Sequence, residues 1–276
     1  MCTLCQSLSL QQQIDFHASD ATFAEFYEGT DAAANSGTAY SLGLADILYG
    51  SLTASTDTAD WVAVSIPAGA TYFFYGVDVY GSGSVSPVIS LMNSSGGTLA
   101  AEMGYSAYDS YTTYTNTSGS AITAYIQIEE YFGGDLDYGM TVYNVLTEGG
   151  SDAGATIGTA SSAALSMSST DVMLGNVGGT GDTADWYEFS LAAGKTLEVL
   201  VHEGETDITG TKNPVVYIYD ASGTLVASWS GTDSIQTMVS YANSSGSTET
   251  LYISIQNYNI GYGTTATDYG FLTTVY

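Results

Sequence analysis

The chain repeats itself. Thr58-Ala59-Asp60-Trp61 recurs as Thr183-Ala184-Asp185-Trp186, 125 residues later. The same offset carries Asp46-Ile47-Leu48-Tyr49-Gly50 onto Asp171-Val172-Met173-Leu174-Gly175, and Ala68-Gly69 with Thr71 onto Ala193-Gly194 with Thr196. Further along, the offset becomes 127 residues. Pro87-Val88-Ile89 then matches Pro214-Val215-Val216, and Ser118-Gly119-Ser120 matches Ser245-Gly246-Ser247. Tyr125-Ile126 with Ile128 and Tyr131 likewise matches Tyr252-Ile253 with Ile255 and Tyr258. Apolar and turn positions kept in register over such a length imply two copies of one fold. At 276 residues the chain suits two domains of ordinary size. Each copy, at roughly 110–120 residues, is long enough to bury its own core.

Inside each copy the apolar period is two. Tyr187, Phe189 and Leu191 fall on one face of a strand, with Glu188 and Ser190 on the other; Val62, Val64 and Ile66 do the same in the first copy. Ile126 and Ile128 alternate with Gln127 and Glu129, as Ile253 and Ile255 alternate with Ser254 and Gln256. Half-buried antiparallel strands read in this way. Asn93-Ser94-Ser95-Gly96 and Asp220-Ala221-Ser222-Gly223 each separate two apolar runs, which predicts hairpins with glycine free to take positive φ. Short strands, turn residues between them and no long helical pattern predict an all-β protein of two tandem β-sandwiches. The boundaries expected are an N-terminal arm over 1–36, a first sandwich over 37–146, a Gly-rich acidic linker over 147–157 and a second sandwich over 158–276. The arm, with Leu8, Leu10, Ile14, Phe16, Phe23, Phe26 and Tyr27, reads either as a short helix or as an extended segment packing on the first domain. Adding to a neighbour's sheet is the other course open to it.

Charge is the second constraint. Twenty-nine acidic residues face only Lys195 and Lys212, with no arginine, for a formal net charge of −27. At 45% hydrophobic and 12% aromatic residues the chain is nonetheless one that folds. Its field repels nucleic-acid phosphates and anionic lipid, so neither is an expected partner. No run approaches the roughly 18 apolar residues of a membrane span. The N-terminus lacks the positive start and continuous apolar stretch of a secretory signal. Export, if it occurs, is expected by a leaderless route. Cys2 and Cys5 form a lone CxxC, which reads as a processing or recognition tag, or as incidental, more readily than as a redox pair or half a zinc site.

Candidate site residues follow the repeat. Asp57 with Asp60, and Asp182 with Asp185, stand in the loops expected just before the Trp-led strands. Two carboxylates so spaced can share a hard cation such as calcium, or each can cap a turn through its own backbone. Glu129, Glu130, Asp135 and Asp137 make a further acidic loop in the first copy only. Trp61 and Trp186 lie on the strand face opposite the main apolar set, where they either cover a sandwich edge or meet a sugar or protein partner. Catalytic signals are poor. His17 and His202 are the only histidines, and His202-Glu203-Gly204-Glu205 does not complete HExxH. Gly178-Gly179-Thr180-Gly181-Asp182 resembles the start of a calcium nonapeptide repeat, but nothing recurs at nine residues. No enzyme and no certain cofactor is expected.

Asp60-Trp61, Ala68-Gly69, Asn93 to Leu99, Tyr125 to Ile128 and Asp137-Tyr138-Gly139 resemble the bacterial pre-peptidase C-terminal domain. Asp185-Trp186, Ala193-Gly194, Asp220 to Leu225, Tyr252 to Ile255 and Asp268-Tyr269-Gly270 carry the same resemblance in the second copy. Met1-Cys2-Thr3-Leu4-Cys5-Gln6 resembles the start of type I-secreted, serralysin-like, calcium-dependent metalloproteases of marine alphaproteobacteria. The resemblance implies jelly-roll-like antiparallel sandwiches, an extracellular location, sometimes bound calcium, and an accessory role. Three functions come forward, the first on the tandem sandwiches, the free arm and the Tyr-, Ser- and Thr-rich, Lys- and Arg-poor composition, the second on the resemblance, and the third on Trp and Tyr exposure alone. One is a non-catalytic structural or adhesive protein, self-association into a filament or surface layer included. A second is an accessory or pro-region partnering a secreted zinc metallopeptidase. The third is a carbohydrate-binding module for glycans.

Carboxylates without internal cations must draw counter-ions from the medium. The melting temperature is therefore expected to rise with NaCl, and with calcium or magnesium. A thermal melt unmoved by all three contradicts this, and leaves the acidic surface as a means of keeping the protein soluble in saline surroundings.

Overall fold

The computed structural model describes residues 24–79, 87–101, 104–105, 109–147, 153–162, 164, 167–168, 170–177, 182–203, 214–228, 236–257 and 267–276. Cys2, Cys5, His17, the arm before Ala24 and the run 178–181 lie outside the described residues. The chain divides into two compact units between Val145 and Leu146. Both units are built of strands. Among the described residues no helix is long and apolar enough to cross a membrane.

The first unit contains β1 (Glu25–Tyr27), β2 (Ser41–Leu42), β3 (Ile47–Leu52), β4 (Ala59–Ile66), β5 (Thr71–Asp78) and β6 (Pro87–Met92). β7 (Thr98–Ala100), β8 (Gly104–Tyr105), β9 (Asp109–Thr115), β10 (Ile122–Glu130) and β11 (Leu136–Thr147) complete it. One sheet runs β3-β11-β5-β9-β8 and the other β2-β4-β10-β6-β7. Counted among the eight main strands (β3 to β7, then β9 to β11), the order is first-eighth-third-sixth in one sheet and second-seventh-fourth-fifth in the other. That is a jelly roll. The second unit opens on a 3-10 turn (Ile157–Thr159). It continues with β12 (Asp171–Val177), β13 (Ala184–Leu191), β14 (Thr196–Glu203), β15 (Pro214–Asp220), β16 (Leu225–Ser228), β17 (Gln236–Ala242), β18 (Glu249–Asn257) and β19 (Thr267–Val275). Its sheets, β12-β19-β14-β17 and β13-β18-β15-β16, follow the same order.

Alternation explains the cores. Val62, Val64, Ile66, Phe74, Ile89, Leu91, Ile126, Ile128, Met140 and Val142 fill the first sandwich. Tyr187, Phe189, Leu191, Val199, Val201, Val216, Ile218, Leu251, Ile253, Ile255 and Phe271 fill the second. The intervening residues of each strand stand on the outer faces, as a pleated strand requires. There Trp61 packs on Tyr125 with ring centroids 5.9 Å apart, and Trp186 on Tyr219 at 4.9 Å. Trp61 is buried and Trp186 half-buried. The turn Asn93 to Gly97 joins β6 to β7, and Asp220 to Thr224 joins β15 to β16; Gly96 and Gly223 take φ of 83° and 80°. In each, one side-chain oxygen accepts from a serine N–H and hydroxyl and from one further N–H, on Gly97 or Thr224. Of the arm, residues 25–27 pair in parallel with β3 of the same unit, Glu25 opposite Ile47 and Tyr27 opposite Tyr49.

One expectation needs correction. Asp60 and Asp185 are not loop residues: β4 begins at Ala59 and β13 at Ala184, because β10 and β18 extend the ladder to Glu129 opposite Ala59 and Gln256 opposite Ala184. Both aspartates are fully buried.

A second buried device is duplicated. Asn116 Nδ2 donates to the carbonyls of Ile66, Pro67 and Ser120, while its Oδ1 accepts from the Ser118 N–H and hydroxyl. Asn243 repeats this with Leu191, Ala192, Ser247 and Ser245. Each amide ties the end of one strand to the turn that leads into another. Replacing Asn116 or Asn243 by Ala is expected to cost each unit about 1–3 kcal/mol, since buried carbonyls lose their donors. Chemical denaturation measures this, and a loss below about 0.5 kcal/mol, the range of an ordinary surface substitution, contradicts it.

Candidate cation site of the first unit

The site is built around Asp60. This carboxylate sits at the start of β4 with its Oδ2 accepting a hydrogen bond from the Tyr138 hydroxyl at 2.8 Å. Tyr138 is on β11 in the opposite sheet, fully buried, and directly across the ladder from Gly50. The glycine is required there, since a Cβ would collide with the Tyr138 hydroxyl and the Glu28 carboxylate. The other oxygen of Asp60, Oδ1, is buried without a hydrogen-bond partner. An ionised carboxylate left so is costly.

The arm brings two more acids to it. One carboxylate oxygen from each of Glu28, Asp31 and Asp60 lies within 4.8 Å of the others. That is the span of two oxygens on opposite sides of one calcium ion at ordinary bond lengths of about 2.4 Å. Glu28 is oriented by its own neighbours: Oε1 accepts from the Ala32 N–H at 2.8 Å and Oε2 from the Ser51 N–H at 3.2 Å. Its backbone N–H donates to the Tyr49 carbonyl at 2.9 Å, which continues the β1–β3 ladder. Asp57 stands beside Asp31, close enough for their carboxyls to interact directly.

Like charges in a partly dry place oppose ionisation. Burial, and after it the neighbouring Glu28, Asp57 and Asp31, push the Asp60 carboxyl up to about 8 against the pull of the Tyr138 hydrogen bond. Burial and Asp31 push Asp57 up to about 6, and burial raises Glu28. A cluster of oxygen donors with an unpartnered buried oxygen fits a hard divalent cation, and calcium in particular, with backbone carbonyls or water completing the shell.

The sequence-derived candidates divide. Asp60 is at the centre of the cluster and Asp57 at its edge. Glu28 and Asp31, which stand outside the repeat, were not foreseen. In the second unit Asp185 Oδ2 accepts from the Tyr269 hydroxyl at 2.6 Å, and Tyr269 and Tyr187 share a 2.6 Å hydrogen bond through their hydroxyls. Gly175 makes room for Tyr269 as Gly50 does for Tyr138. Asp182 is half-buried nearby in sequence, and among the described residues no third carboxylate joins Asp182 and Asp185 in a metal-binding group. Trp61 and Trp186 pack on tyrosines and take no part in the cluster. In the other acidic loop, Glu130 accepts from the N–H groups of Phe132, Gly133 and Gly134, and Asp135 from that of Ala54 at 3.1 Å. Those acids staple turns.

Without a cation, folding favours the protonated Asp60. Its carboxyl is raised from an ordinary 3.8 to about 8. Stability is then greatest below about pH 4 as far as this group is concerned, falls as pH rises through the window to about 8, and levels off above it. In EDTA, Asp60→Asn should flatten the decline between pH 5 and 8.5 seen by denaturant titration. Calcium should bind with release of protons, its affinity weakening by up to tenfold per pH unit below about 8 for each proton displaced. Glu28→Gln should weaken calcium at least tenfold by calorimetry. An affinity that does not change with pH, or is untouched by Glu28→Gln, contradicts the assignment.

No protein-family model and no curated protein matches the chain. Among solved structures, it is similar to the pre-peptidase C-terminal domain of a collagenase from Bacillus anthracis at 18% identity, covering 42% of this chain and 99% of that one, with a TM-score of 0.28. It is also similar to the CUB1-EGF-CUB2 domain of human MASP-1/3 at 9% identity, over 82% of this chain and 99% of that one, with a TM-score of 0.21.

Proposed function

We propose that this is a non-catalytic, extracellular structural or adhesive protein made of two β-sandwich modules, the first of them locked by calcium. The observation that carries the reading is the Glu28, Asp31 and Asp60 cluster, together with the buried, unpartnered Oδ1 of Asp60. A calcium ion there would close the arm onto its sandwich. Weak calcium sites of this oxygen-rich kind are filled where calcium is millimolar, which is outside cells. The buried Asp–Tyr pair recurs in both units, as a packing device does, whereas a reaction centre needs access to its substrate. A chain of net charge −27 also suits calcium-rich saline surroundings, where divalent ions shield its carboxylates.

The resemblance of residues 1–6 to secreted metalloproteases keeps the accessory reading as the second one, with a peptidase domain as partner. The glycan reading has less support, because both tryptophan rings are already packed on tyrosines.

Light scattering and negative-stain microscopy in millimolar calcium and marine salt, against EDTA, test the first reading. Ordered assemblies that form with calcium and disperse with EDTA are expected. Strictly monomeric particles under both conditions contradict self-assembly, and an intact peptidase coding region directly downstream favours the accessory role.

A further inference from the structure

We infer that the first unit holds a cleft for an arginine side chain presented by another protein, walled by Tyr27, Tyr49, Glu28 and Asp137. The hollow measures about 230 Å³ and lies along β1 and β3, with Ser51 and Tyr138 also on its surface. It adjoins the cation cluster through Glu28, so the inference rests in part on the calcium reading.

Four observations carry it. Tyr27 is 72% exposed, yet its ring is held in place by a stack on Tyr49, centroids 5.0 Å apart and planes at 22°. An aromatic so fixed presents contact area at small entropic cost to a ligand. Tyr49 is nine-tenths buried, so the platform beneath Tyr27 is itself fixed. Glu28 and Asp137 make the wall acidic, and Glu25 stands near enough to add to the field on Tyr49. Finally, the chain contains no arginine and only two lysines, so a second copy offers no guanidinium to fill the place.

A guanidinium meets all four conditions. Its flat face stacks on a tyrosine ring while its N–H fork meets the Asp137 carboxylate at the wall. A neutral sugar would stack on Tyr27 but leave the carboxylates uncompensated, and a phosphate would be repelled by them. Calcium enters through the backbone: Glu28 follows Tyr27 directly and its N–H is bonded to the Tyr49 carbonyl. An ion gripping the Glu28 carboxylate therefore steadies the strand that carries the clamp.

The test uses the full chain in calcium, with blocked N-acetyl-arginine amide as the probe and the tyrosine ring resonances as the readout. Saturable shifts at Tyr27 and Tyr49 are expected. Tyr27→Ala should weaken binding about two- to fivefold, the scale of one cation–π contact at an exposed site, and Tyr27→Phe should retain it. Asp137→Asn should weaken it by a similar factor. The denaturation midpoint of the same variants serves as the check on folding, and should stay near the parent's because Tyr27 and Asp137 are exposed. The inference is overturned if arginine moves neither ring, if Tyr27→Ala binds it as the parent does, or if chitotriose shifts the rings where arginine does not. Arginine binding that persists in a protein shown not to bind calcium keeps the cleft and removes the calcium lock. Calcium binding with silent tyrosine rings does the reverse.

Discussion

A buried carboxylate that receives a tyrosine hydroxyl from the opposite sheet is the interaction on which both sandwiches turn. Asp60 with Tyr138, and Asp185 with Tyr269, each join the second main strand of a unit to its eighth across the core. The tyrosine reaches over a glycine on the neighbouring first strand, Gly50 or Gly175, which no other residue can replace without collision. Three positions far apart in sequence are thus specified together. A directional hydrogen bond in a dry core adds a constraint on the mutual placement of the two sheets that non-directional apolar burial does not supply.

The two copies deal differently with the charge this link brings inside. In the second, Tyr187 extends the hydrogen-bonded chain to the Tyr269 hydroxyl, so the carboxylate is served by a relay of phenols. In the first, position 62 is valine, and the aspartate meets two acids of the arm instead. Of those two acids, Glu28 also lines the aromatic cleft beside Tyr27 and Tyr49. Divergence after duplication is visible here at the level of a single hydroxyl.

Much of the fold was legible in the sequence because it depends on local signals. The period-two faces of Trp186 to Leu191 and of Ile126 to Glu129 lie as alternation requires, and the Asn93 and Asp220 turns close as Asx-type turns do. The cluster was only half legible. Asp60 could be picked out because it repeats, but Glu28 and Asp31 stand outside the repeat, and a search guided by duplication passes over them. Their approach depends on three residues pairing in parallel with β3, a non-local choice that no spacing announces. The same holds for Asn116 and Asn243. The Ser-Gly-Ser after each asparagine marked a turn, while two of the three carbonyls each amide collects lie about fifty residues away.

The parallel strand β1 has a mechanical corollary. Among the described residues, tension applied at Ala24 meets a three-residue ladder before it meets the first jelly roll. With an ion bridging Glu28 and Asp31 to Asp60, that short ladder would be bolted to the core and the load shared with β4 and β11. Without the ion it would peel first and leave the sandwich whole. The protein would then carry a fuse rather than a hinge, one whose breaking strength is set by the calcium around it.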